Sequence, residues 1–161
     1  MTQSYPPAPN ITLKAAVSNR EFRYNAPGTT SLLLCLTQET QPQAEAIEEM
    51  ARRRWPLASD LLVVYVIDLR KVPFMLKGIA ESVMDNEYKK SLDGLPEGCD
   101  PHDYVIITPD WKGETAKAFD LDANKSDLTL VILTKDGRLA GTLHGASTDE
   151  VEAAIEAAIN A

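Results

Sequence analysis

A chain of 161 residues, 44% of them hydrophobic and 25% charged, has the balance of an ordinary globule and can bury roughly 70% of its unfolded surface. Its formal net charge of -8 and pI near 4.7 oppose phosphate backbones and anionic bilayers, so neither nucleic acid nor a membrane surface is an expected partner. The apolar runs LLLCL and LLVVYVI are too short to span a bilayer, and MTQSYPPAPN has neither the basic nor the apolar region of a secretory signal. Two cysteines, Cys35 and Cys99, lie far apart with no C-x-x-C, the usage of a reduced, cytoplasmic protein without structural disulfides.

Residues 1–10, with Pro6, Pro7 and Pro9, read as an extended arm ahead of one domain over 11–161. ITLKAAV and EFRYNA flank SNR as an N-terminal β-hairpin, and SLLLCLT is apolar enough for a central strand covered on both faces. Pro42 suits the first turn of a helix whose inner face is Ile47, Met50, Ala51 and Trp55. In that helix Glu45, Glu48 and Glu49 precede Arg52, Arg53 and Arg54, an order that complements the macrodipole. DLLVVYVIDL is a second buried strand. VPFMLKGIAESVMDNEYKKSL reads as helix, with Pro73 near its start and apolar residues at 76, 79, 80, 83 and 84.

DGLPEGCDPHD reads as a loop, YVIIT as a third strand, PDWKG as a turn and ETAKAFDL as a short helix. LTLVILT and RLAGTLHG form a hairpin about KDG. The last helix, in STDEVEAAIEAAIN, opens with a Ser147/Glu150 capping box and buries Val151, Ala154, Ile155, Ala158 and Ile159. Strands alternating with helices imply parallel pairing, to which the late hairpin adds antiparallel strands. The expected class is α/β, a mixed central sheet with helices on both faces.

That order, with LTLVILTKDGRLAGTLHG before a final helix and PDWKGETAKAFDLD ahead of it, resembles the thioredoxin fold. Within it the chain is similar to the peroxiredoxin-like (AhpC/TSA) branch, and its ending to the YtfJ-like proteins, which lack the usual redox pair. The resemblance implies a thiolate at the start of the first helix, where N–H groups and the dipole lower a cysteine pKa. Aligning Glu45 with the family's helix glutamate sets Glu39 and Pro42 on the two key positions, in a junction Glu39-Thr40-Gln41-Pro42 that has no thiol. Leu128 or Asp127 falls where thioredoxins carry a proline facing the cysteines. The implied active site is vestigial.

Other candidates compete with structural readings. Cys35, inside LLLCL, reads as a buried apolar residue. Cys99 lies in a polar loop with His102 three residues on, which could activate it, although Asp100 and Asp103 would oppose a thiolate. Asp120, Asp122, Asn124 and Ser126 alternate as in a calcium loop, but Lys125 and Val131 stand where a glycine and a glutamate are needed, so no metal and no cofactor are expected. ARRRW reads as a charge-complementing helix end, His144 as a hydrogen-bonded structural histidine, and Trp111 as either a contact residue or a core-facing one. The expected function is a non-catalytic binding or interaction protein taking a protein or small ligand, and able to pair as a homodimer through a sheet edge or the helix entrance. The alternative is an atypical thiol oxidoreductase or peroxidase using Cys99 or Cys35.

Overall fold

The computed structural model describes residues 4–36, 38–124 and 126–161. Short strands β1 (Thr12–Lys14) and β2 (Glu21–Arg23) pair antiparallel, and the two-residue period turns Leu13 and Phe22 inward. Strand β3 (Ser31–Leu36) leads through a 3-10 turn at Gln38–Thr40 into α1 (Gln41–Arg54). Strand β4 (Leu62–Asp68) follows, then a 3-10 turn at Phe74–Leu76 that runs into α2 (Lys77–Asp93). After α3 (Pro101–Tyr104) come β5 (Ile106–Asp110), α4 (Glu114–Ala118), β6 (Thr129–Leu133), β7 (Leu139–His144) and α5 (Thr148–Ile159).

The main sheet has the order β5-β4-β3-β6-β7. Strands β5, β4 and β3 are parallel, as their helical crossovers require, while β6 and β7 run antiparallel. Alternate residues divide the core between the two faces. Leu32, Leu34, Val63, Leu130 and Ile132 pack on α1 and α5, against Ile47, Ala51, Val151 and Ile155. Tyr65 and Ile107 continue that face toward Met84 and Tyr88 of α2. Leu33, Cys35, Val66 and Val131 face the other layer, where Phe22 and Tyr24 of the hairpin segment meet Ala116 and Phe119. Ser147 and Glu150 close the expected capping box, Glu150 N donating to Ser147 Oγ at 3.2 Å.

Four details differ from expectation. The loop DGLPEGCDPHD ends in α3, because Asp100 accepts from His102 N (3.0 Å) as an N-cap and Pro101 suits the first helical position. Strand β5 continues through Pro109 and Asp110, in place of the expected turn; a proline is tolerated because β5 is an edge strand. The sheet edges are partly covered rather than open. Ala16 N donates to Ile107 O (2.7 Å) along β5, and the arm lies at the start of β7, with Leu139 N to Pro6 O at 2.8 Å and Ala8 N to Gly137 O at 2.9 Å. Lastly, the apolar period of α2 marks two faces: Met84 is buried, whereas Leu76, Ile79 and Val83 point to solvent.

Candidate functional site at the carboxyl edge of the sheet

Because β3, β4 and β5 are parallel and Leu36, Ile67 and Pro109 are in register, their carboxyl ends form one edge. Open α/β sheets bind ligands outside that edge. Four segments lie along it: the entrance to α1, residues 69–76 after β4, Trp111 after β5, and the Leu128/His144 end of the β6–β7 hairpin. At the entrance Thr40 is the N-cap and fully buried, Gln41 is the first helical residue and Pro42 the second. Proline fits because the first helical N–H groups have no intrahelical acceptor to lose. Glu39, Gln41 and Pro42 are exposed. Leu128 is buried just before β6 and its carbonyl accepts from Gly145 N (2.9 Å), while His144 Nδ1 lies 2.9 Å from Thr129 Oγ1.

The two cysteines lie elsewhere. Cys35 is one residue from the end of β3, but strand parity turns it away from α1 and toward Tyr24 and Val66. Burial, with the Asp110 charge adding to it, pushes its thiol up to about 12. Cys99 lies at the other end of the sheet, before α3, which meets the carboxyl end of α1. There Arg52 donates to Tyr104 O (3.0 Å) and its guanidinium lies 3.8 Å from the Tyr104 ring centroid. A 14-residue helix, about 21 Å long, separates that end from Pro42. Asp100 is engaged as the α3 cap, and Asp103 pairs with Arg20 (2.9 Å), which also donates to His102 O (3.1 Å). The fold therefore does not bring Cys35, Cys99 and the Glu39–Pro42 junction together.

The remaining motifs have structural partners. Arg52 pairs with Glu48 (3.1 Å), and Arg54 reaches Glu152 (3.4 Å) and Glu156 (3.7 Å) on α5, which accounts for much of ARRRW. In the calcium-like stretch Asp122 pairs with Arg70, and Val131 is buried in the centre of β6; Lys125 lies outside the described residues. Among the described residues no three His, Cys, Asp or Glu side chains gather to hold a metal ion. Trp111 is half-buried, with Lys77 Nζ 5.1 Å from its ring centroid, and it joins Leu69, Arg70, Val72 and Phe74 around a shallow cavity of about 220 Å³.

Sequence reasoning missed one polar cluster. The buried Asp110 carboxylate accepts from Glu114 N (3.0 Å) and Thr115 N (2.8 Å), and Thr115 Oγ1 lies 2.6 Å from Tyr24 OH. Burial first, then the neighbouring Cys35, pushes the Tyr24 hydroxyl well above its ordinary range. The local signal is an aspartate shortly before the start of a helix, where its carboxylate can cap the first N–H groups.

The fold is thioredoxin-like. A crystal structure of a thioredoxin-like superfamily protein matches with a TM-score of 0.67 over 97% of each chain, at 12% identity. A thiol-disulfide isomerase from Corynebacterium glutamicum matches at 0.60, covering 96% of this chain and 97% of that one at 13% identity. A putative thiol:disulfide interchange protein DsbE from Chlorobium tepidum matches at 0.59 over 99% of both, at 15% identity. No protein-family model matches the chain, and no curated protein matches it in sequence. At such identities what is shared is the fold, and function has to be argued from the site. Among the described residues no helix is long and apolar enough to cross a membrane.

Proposed function

We propose that the chain is a non-catalytic thioredoxin-fold binding module, holding a protein segment or small ligand at the carboxyl edge of its sheet. One observation carries the reading: the entrance to α1 presents Glu39, Gln41 and Pro42 around a buried Thr40, with no thiol, while the chain's two cysteines stand behind the sheet and at its far end. Redox work in this frame needs a thiolate at the helix start, and proline has no reactive atom. Trp111, Phe74 and Lys77 offer the edge an apolar surface with one cation for a ligand, while Arg70 beside them is already paired with Asp68 and Asp122. Two free cysteines agree with a reduced, cytoplasmic setting. Within the fold, the KDG hairpin sequence supports a peroxiredoxin-like placement.

The competing reading is an atypical thiol oxidoreductase or peroxidase. It draws on the partial exposure of Cys99 and on the thiol-disulfide names of the neighbours. Turnover decides between them. Insulin-disulfide reduction and hydroperoxide consumption by the purified protein should equal those of the Cys35→Ser/Cys99→Ser double variant. Turnover well above the double variant, abolished by either single substitution, would transfer the assignment to the enzyme.

A further inference from the structure

A groove of about 540 Å³ separates the β1–β2 hairpin from α2 and the end of β5. Residues 12–17 line it without interruption. A strand shows only alternate residues on a face, so an unbroken run marks its edge. The hydrogen bonds agree. Tyr24 N donates to Ile11 O (2.9 Å) and Ala15 N to Arg20 O (2.7 Å), so Ile11, Leu13 and Ala15 direct their main-chain groups at the β2 side. Thr12, Lys14 and Ala16 direct theirs the other way. Ala16 N reaches Ile107 O on β5 (2.7 Å), but Pro109, two residues further along that edge, has no N–H to offer. The N–H and C=O groups of Thr12 and Lys14 are left at the groove, with no hydrogen bond among the described residues.

Main-chain donors and acceptors spaced along an extended segment are the complement of another extended chain. The opposite wall selects its side chains. From α2 the groove is lined by Glu81, Met84 and Asp85, which share one helix face; Met84 is buried and the two acids are exposed. The ion pair on α2 among the described residues is Lys90 with Glu87, so Glu81 and Asp85 stand one turn apart without a cation. Like charges at that spacing weaken a helix, so the stability of α2 does not explain them. The other charges at the groove lie on its other walls: Lys14 on the hairpin, and Lys112 and Glu114 after β5. The buried Asp110 is already engaged by Glu114 N and Thr115 N. Met84 and the half-buried Trp111 supply the apolar lining.

We infer that the groove binds an extended polypeptide segment with basic side chains, which adds as a strand to the free edge of β1. Its main chain pairs with Thr12 and Lys14, and its cationic side chains reach Glu81 and Asp85. Main-chain pairing supplies affinity and the acidic wall supplies selectivity. Binding here depends neither on thiol chemistry nor on what the entrance to α1 holds.

The probe is a peptide of about nine alternating lysine and valine residues. Its controls are the glutamate–valine counterpart and a fully N-methylated version, which keeps the charge and removes the donors. Calorimetric titration should detect the lysine peptide and neither control. At saturation, amide hydrogen exchange at Thr12 and Lys14 should slow at least about tenfold. Glu81→Gln/Asp85→Asn should raise the dissociation constant at least about tenfold, with circular dichroism unchanged because both positions are exposed. Four results would each overturn the assignment: no binding of the lysine peptide, equal binding of the N-methylated one, unchanged exchange at Thr12 and Lys14, or indifference to the Glu81/Asp85 substitutions.

Discussion

Gly137→Ala should destabilise the protein by about 4 kcal/mol or more, or prevent folding altogether. Gly137 sits at φ 84° in the turn joining β6 to β7, a conformation that costs any residue with a Cβ. Steric contact costs more still. An added Cβ would lie 1.9 Å from Asn25 O and 2.3 Å from Asn25 C, and those are backbone atoms that cannot rotate away. The same turn is held from the other side by the arm, Ala8 N donating to Gly137 O at 2.9 Å. Relief would require the late hairpin to lift off the segment after β2. Gly141→Ala is the control: it lies in β7 with nothing within 4 Å of the added atom, and should change stability by less than about 1 kcal/mol. Urea unfolding of both variants makes the comparison, and a loss under about 1 kcal/mol at Gly137 would contradict the docking of the turn.

Alkaline pH should expose the burial of Cys35. Its folded pKa is about 12 against an ordinary 9.0, so only the unfolded chain releases this proton between those values. The stabilisation tied to the neutral thiol is complete below pH 9 and is lost as pH rises from about 9 to about 12. That displacement corresponds to at most on the order of 4 kcal/mol, with about 2 kcal/mol gone by pH 10.5. Tyr24 acts in the same direction from its own ordinary value of 10.0 upward. Cys35→Ala removes the thiol contribution and leaves the tyrosine. Its urea-derived stability should therefore fall less steeply above pH 9 than that of the unaltered protein, whatever constant offset the lost side chain adds. Parallel curves would mean that Cys35 is solvated.

What can be read before folding is local. LLLCL and LLVVYVI announce central strands, KDG announces a hairpin, and Ser147 with Glu150 announces a helix start, because each signal lies within a few residues. The face on which Cys35 lies is hidden, since a strand covered on both sides is apolar at every position. The covered sheet edges are hidden for another reason: Ala16 meets Ile107, and Pro6 meets Leu139, across long stretches of chain. On α2 the periodicity registers Leu76, Ile79, Val83 and Met84 alike, and only the packed structure separates the buried residue from the exposed ones. Asp100 before Pro101 is legible as a cap. Asp110 is legible in the same way, once its distance to α4 is weighed as a capping distance.

Position 42 decides whether this chain keeps a redox frame without its thiol, as we propose. In a Cys35→Ser/Cys99→Ser background, Pro42→Cys installs a sulfur at the second residue of α1, beside the positive end of the helix dipole. Arg52, Arg53 and Arg54 occupy the last turn, too far away to help, and Glu39 lies in the turn before the helix, where its charge opposes a thiolate. The pH dependence of alkylation should place the new thiol below the free value of about 8.5, and lower again when Glu39→Gln is added. A thiol that titrates at or above the free value in both backgrounds would show that the entrance to α1 does not favour a thiolate, contradicting the proposal that Pro42 stands where the fold's redox cysteine would.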